Sequence, residues 1–294
     1  MSRIFEALQR SESERSGEGN LSLPSMVTDL LQAAEREVVP EVTVNPAVLP
    51  GEPEQLQSLP VLLTPETRLV SLTDKEGLGA EKFRFLGVRL RQLQQARSLK
   101  KLLITSTSPE EGKSLVAANL AATLARRQQQ KVLLLEGDLR RPVLAERFGH
   151  SRLPGITEWL HQSPAAINSI YYLDGPGFWL LPAGRPPENP LELMQTGKLN
   201  SLLEQLTSSF DWIIIDSPPL LPLADTSVWI RLVDGVLLVV REGRTEKRQL
   251  QRGLDALDQK RLLGVVVNSC TGTDNKNYYS RYSPAAAGPE GPQS

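Results

Sequence analysis

Two kinds of apolar pattern alternate from about Glu81 onward. Short continuous runs, such as Val132-Leu133-Leu134-Leu135 and Trp212-Ile213-Ile214-Ile215, suit strands covered on both faces. They predict strands over 102–106, 131–136, 178–182, 211–216, 235–240 and 263–268. Between them, apolar residues at helical spacing predict helices over 113–127, 190–208 and 245–259. A further helix is predicted over 81–95, where Phe83, Leu86, Leu90 and Leu93 share one face. This alternation predicts an α/β fold: a doubly wound, mostly parallel sheet with helices on both faces. Ligands of such sheets sit at the carboxyl ends of the strands.

The first 78 residues read differently. They carry 13 acidic and 6 basic side chains, a net −7 against −1 for the whole chain, with seven prolines and no aromatic residue beyond Phe5. Such a stretch buries too little apolar surface to offset the entropy lost on ordering. Residues 1–78 are therefore expected to be a largely disordered linker. Two short helical pieces, Ser2–Gln9 and Val27–Glu37, are candidate docking elements. The expected domain spans 79–270. The chain after Cys270 is rich in Ser, Asn, Gly and Pro, so 271–294 reads as a flexible tail.

Composition narrows the class. No apolar run approaches the roughly 18 residues that cross a bilayer, and the polar N-terminus MSRIFEALQRSESER has no signal-peptide core. One cysteine and two histidines exclude an intrachain disulfide and argue against a zinc site. The near-zero net charge argues against broad binding to nucleic acid. Cytoplasm is the expected compartment.

Three motifs fall at predicted strand ends. The first strand feeds Ser108-Pro109-Glu110-Glu111-Gly112-Lys113-Ser114 and then an Ala-rich helix, the strand–turn–helix order of a phosphate-binding P-loop. Backbone N–H groups and the helix dipole favour an anion there. Lys113 would reach the β- and γ-phosphates, and the Ser114 hydroxyl would sit on Mg²⁺. The strict pattern has glycine where this chain has Thr107. The second motif is Glu136-Gly137-Asp138-Leu139-Arg140-Arg141-Pro142, two carboxylates able to order Mg²⁺ and accept a proton. The third is Asp216-Ser217-Pro218-Pro219, with a metal-holding carboxylate after four apolar residues.

In this order the motifs resemble those of the bacterial tyrosine kinases of capsule and exopolysaccharide synthesis, a P-loop NTPase branch shared with the MinD and ParA ATPases. Leu181-Pro182-Ala183-Gly184 with Asn189-Pro190-Leu191-Glu192-Leu193, and Gly264–Asn268, fit the same family, so the resemblance covers roughly 80–285. It implies ATP and Mg²⁺ as cofactors. It assigns nucleotide binding to Ser108, Pro109, Glu110, Glu111, Gly112, Lys113, Ser114, Leu115 and Asn268, the last near the adenine. It assigns Mg²⁺ to Ser114, Asp138 and Asp216, and catalysis to Lys113, Asp138, Glu136 and Arg140. Tyr278, Tyr279 and Tyr282 become the phosphate acceptors, usually in a neighbouring subunit. Ring assembly in the family uses an ExxRxxR helix; here Glu81 and Arg84 match and Gly87 does not. Glu136 replaces an aspartate, and Glu110 stands where glycine is common. With no membrane-spanning half in this chain, the resemblance implies a split-type kinase. Its activator would be a separate membrane protein, holding it at the inner face of the plasma membrane. The alternatives are a MinD/ParA-like ATPase switch, whose P-loop lysine at the KGG position is missing here, and a non-catalytic nucleotide-dependent scaffold.

Overall fold

The structure is a computed structural model. It describes residues 57–270 except 62, 64–66, 127–129, 152, 162–168 and 222–223. The expected helices at Ser2–Gln9 and Val27–Glu37 and the tail tyrosines lie outside these residues.

The chain builds one eight-stranded, mostly parallel sheet. The strands are β1 (Ser58–Pro60), β2 (Lys101–Ser106), β3 (Val132–Glu136), β4 (Tyr171–Asp174), β5 (Phe178–Leu181), β6 (Trp212–Asp216), β7 (Gly235–Arg241) and β8 (Leu262–Asn268). Their order across the sheet is β1-β4-β5-β3-β6-β2-β7-β8. All neighbouring pairs are parallel except the β4–β5 hairpin.

Both faces carry helices, which is why the strands read as unbroken apolar runs. Leu102 and Ile104 of β2 face one core with Trp212 and Ile214 of β6; Leu103, Ile213 and Ile215 face the other. The first core is closed by α2 (Leu78–Ala96), through Leu90, and by α3 (Lys113–Ala125), through Ala117, Leu120, Ala121 and Leu124. The second is closed by α7 (Lys198–Ser209), with Leu199, Leu202, Leu203 and Leu206 at helical spacing, and by Trp229 of α8 (Asp225–Leu232). Short helices α1 (Val70–Thr73), α4 (Leu144–Arg147), α5 (Ile156–Leu160) and α6 (Pro190–Met194), with α9 (Lys247–Asp255), complete the set of described helices.

Three expectations are corrected. The segment read as linker up to residue 78 contributes to the domain: β1 pairs with β4, and Thr67, Leu69 and Ser71 are buried. A three-residue edge strand is too short to register as a period, and Pro60 is tolerated at an edge because it need not donate inward. The single helix expected over 190–208 is two, broken where Gly197 takes φ 75°, a left-handed turn that L side chains avoid. The β4 strand and α8 were not foreseen.

Candidate active site

β2 sits between β6 and β7, with β3 next to β6. The three motifs therefore end at one edge of the sheet, as the alternation predicted. They line a cleft of about 580 Å³ that also takes Arg68, Arg141, Arg147 and Arg241.

The P-loop is held by one internal carboxylate. Glu111 is 1% exposed and accepts from the Thr107 hydroxyl at 2.9 Å, from the Ser108 N–H at 2.9 Å and from the Thr245 hydroxyl. Thr107 is thus a working part of the loop: its hydroxyl ties the first P-loop position to Glu111. Gly112 starts α3 at φ 94°, and a Cβ there would lie 2.1 Å from Asn268 Nδ2. That amide donates to the Glu111 carbonyl at 2.9 Å, so the end of β8 braces the loop. Glu110 also finds a reason. Arg244 donates to its carboxylate at 2.6 Å, and Arg241 to its carbonyl at 3.4 Å, so the extra negative charge is matched from beyond β7.

Lys113 lies between two carboxylates. Its Nζ is 3.2 Å from Asp138 Oδ2, 3.6 Å from Asp216 Oδ1 and 3.4 Å from the Ser114 hydroxyl. Burial alone would pull its pKa down, but Asp216 and Asp138 outweigh that and hold it above the ordinary lysine value. Asp216 is fully buried, and neither of its oxygens has a hydrogen-bond partner. Burial pushes its pKa up, with Lys113 opposing. A buried carboxylate whose only facing cation is a lysine 3.6 Å away, itself shared with Asp138, is costly, which marks it as a group suited to a further cation.

Mg²⁺ fits this donor set. Among the described residues no cluster of three or more His, Cys, Asp or Glu could cage a metal alone. Mg²⁺ needs no such cage: it is held by one or two carboxylates plus phosphate oxygens and waters. The Asp216 oxygens and the Ser114 hydroxyl would supply that, with Asp138 on the other side of Lys113.

No protein-family model matches the chain. It is 31% identical over 205 residues to the tyrosine-protein kinase YwqD of Bacillus subtilis, covering 69% of this chain and 86% of YwqD. The chain belongs to the bacterial tyrosine-protein kinase family. It also matches the longer tyrosine-protein kinase ptk of Acinetobacter johnsonii, 28% identical over 76% of this chain but only 30% of ptk. The kinase domain of Escherichia coli tyrosine kinase ETK superposes with a TM-score of 0.64 at 28% identity, covering 69% of this chain and 82% of that domain.

Not every expected residue of the kinase reaches the cleft. Glu136 does not. It is 1% exposed, and both its oxygens are engaged, accepting N–H bonds from Val143 and Leu144 at 2.5 Å each and from Ala183 at 3.1 Å. Burial raises its pKa, only partly countered by those three amides. Its extra methylene lets it span from the start of α4 to the loop after β5; it anchors structure and is not placed to take a proton in the cleft. Glu136→Ala would strand two buried donors and one half-buried one. At about 1–3 kcal/mol for each buried donor, unfolding free energy should fall by roughly 2 kcal/mol or more, measured by urea titration. A smaller loss than about 1 kcal/mol would contradict this role.

Arg140 does line the cleft, locked by a two-pronged pair with Asp225, which is 1% exposed at the start of α8 (Nε–Oδ2 2.5 Å, Nη2–Oδ1 3.1 Å). That hydrogen bond holds its pKa above the ordinary arginine value. Asp225 was missed, although an aspartate flanked by Leu223-Ala224 and Val228-Trp229-Ile230 is a readable signal of a buried, partnered charge. Glu81 and Arg84 pair with each other on exposed α2. Gly87, one turn on, packs against α3, where an added Cβ would lie 3.3 Å from Thr123 Cγ2. A third motif arginine there would need Thr123 to give by a few tenths of an ångström. No helix among the described residues is long and apolar enough to cross a membrane.

Proposed function

We propose that this kinase uses Mg·ATP to phosphorylate its own tail tyrosines, Tyr278, Tyr279 and Tyr282, and through them regulates the synthesis and export of a polysaccharide. The observation that carries this reading is where the tail leaves the domain. Asn268 and Ser269, at the end of β8, line the cleft itself. Tyr278 follows Ser269 by nine residues, about 32 Å of fully extended chain at most, so the chain that carries the acceptors starts from the wall of a phosphate site.

The P-loop amides and Lys113 hold the nucleotide phosphates. Ser114 and Asp216 would hold Mg²⁺, which would supply positive charge to the phosphate oxygens. Asp138 accepts the phenolic proton as the tyrosine oxygen bonds to the γ-phosphorus and the bond to the β-phosphate oxygen breaks, releasing ADP. Arg140, held rigid by Asp225, offers its remaining N–H groups to the charge that develops.

Transfer in trans requires a second copy. Exposed α2 offers a contact: Phe85 is 73% exposed and Val88 45%, on the same stripe as Glu81 and Arg84. Apolar side chains left this open beside a paired charge suit a protein surface. The acidic N-terminal segment is the proposed dock for the membrane activator.

The test is phosphopeptide mass spectrometry after incubation with Mg·ATP, with and without the cytoplasmic part of the membrane partner. Phosphate should appear on the three tail tyrosines and be absent from the Tyr278/Tyr279/Tyr282→Phe variant. ATP turnover with unmodified tyrosines under both conditions would replace this reading with an ATPase switch.

A further inference from the structure

Among the described residues, three that are not glycine have positive φ: Arg68 at 49°, Glu110 at 65° and Ser269 at 58°. All three line the one cleft. Backbone strain of this kind costs on the order of 1–3 kcal/mol per residue and clusters where function demands a particular geometry. Glu110 lies in the P-loop and Ser269 follows the bracing Asn268. Arg68 belongs to neither, nor to any motif, and comes from a segment that the sequence marks as linker.

The strained turn at Arg68 is bolted to the P-loop helix. Thr67 and Leu69 on either side are 3% and 0% exposed. The Arg68 carbonyl accepts from Asn119 Nδ2 at 2.9 Å, and Asn119 is a fully buried residue of α3, one turn beyond Leu115. The backbone is therefore fixed while the long side chain is delivered to the rim of the cleft over the first turn of α3. Arg147, the last residue of α4, lines the same wall. Its Nε is buried without a hydrogen-bond partner. Among the described residues neither arginine forms an ion pair, whereas Arg140 and Arg244 in the same neighbourhood do. Two guanidinium groups without a carboxylate, one with a stranded donor, face a helix N-terminus that already attracts anions.

We propose that Arg68 and Arg147 form a clamp on the nucleotide's polyphosphate chain. This rests on the cleft being the nucleotide site of the proposed kinase. Its consequence is that the approach segment before α1 becomes part of nucleotide binding, so the acidic N-terminal chain is joined directly to a residue that reads site occupancy.

The test is a titration of full-length protein with a fluorescent ADP analogue and Mg²⁺. The Tyr278/Tyr279/Tyr282→Phe background removes tail phosphate. Arg68→Gly suits the left-handed backbone and removes only the side chain. It should bind nucleotide about tenfold more weakly with an unchanged or higher melting temperature without ligand. Arg147→Gln should weaken binding comparably. Affinities within about twofold of the parent for both variants would overturn the clamp, as would a loss at Arg68→Gly that tracks a fall in melting temperature. Lys113→Met in the same titration separates the two readings. If it binds like the parent, the cleft is not the nucleotide site and the proposed function fails too. If it loses binding while the arginine variants do not, the clamp alone fails. An effect of the arginines seen only with a phosphorylated native tail would assign them to phosphotyrosine and also overturn the clamp.

Discussion

Asp138→Asn is expected to slow tail phosphorylation by about 10²–10⁴-fold, the range for losing a positioned general base, while nucleotide affinity changes little. The geometry separates the two effects. Asp138 Oδ1 accepts the Arg141 N–H at 3.1 Å, a bond that the asparagine oxygen can keep, so the turn carrying the three residues before Pro142 retains its shape. Lys113 loses a charged neighbour at 3.2 Å but keeps Asp216 at 3.6 Å, and the P-loop amides are untouched. What vanishes is an oxygen able to take the phenolic proton. Single-turnover phosphotyrosine formation, with nucleotide binding measured by calorimetry, checks this split. Rate and affinity falling in parallel would make Asp138 a positioning residue for Lys113 and leave the base unassigned. Glu136 does not take over in the variant, because its two oxygens are engaged by three backbone amides.

Much of this site was legible in the chain. Runs such as Trp212-Ile213-Ile214-Ile215 declare a strand covered on both faces, and the residue that ends such a run must stand at the sheet's carboxyl edge. Lys113, Asp138 and Asp216 were brought together by that rule, and the structure places a carboxylate oxygen of each aspartate within 4 Å of Lys113 Nζ. What sequence could not give was direction. Glu136 and Asp138 are two apart at the end of a strand, where the chain leaves the pleat. Which of the two turns into the cleft depends on where α4 and the loop after β5 offer their amides, contacts 7 to 47 residues away. Glu110 and Glu111 posed the same problem: adjacent carboxylates, one facing Arg244 and one folded inward as the loop's anchor. The segment 57–73 was missed because its contribution is a three-residue strand and isolated buried side chains, which leave no period to read.

The second large effect concerns stability and points the opposite way from activity. Asp216→Asn should raise the stability of the nucleotide-free protein by roughly 1–3 kcal/mol while abolishing stabilisation by Mg·nucleotide. Asp216 sits on the central strand β6, its Cα paired with Ile104 of β2 on one side and Glu136 of β3 on the other, so it cannot move toward water. Both its oxygens are buried, met only by Lys113 at 3.6 Å and the Ser114 hydroxyl, and burial holds its pKa above the usual carboxylate value, which means that ionising it inside the fold costs energy. Lys113, itself shared with Asp138, offsets only part of that cost. A neutral amide of the same shape avoids the cost, and Ser114 is at hand to accept its N–H. The carboxylate is retained against stability because an amide is a poor ligand for a hard cation. Melting curves of parent and variant, each with and without Mg·ADP, decide the matter. The variant should melt higher alone, by about 2–4 °C per kcal/mol, and should no longer respond to Mg·ADP. A variant that melts lower than the parent without ligand would show that the Lys113–Asp216 attraction exceeds the desolvation cost and that the strand end is built for stability.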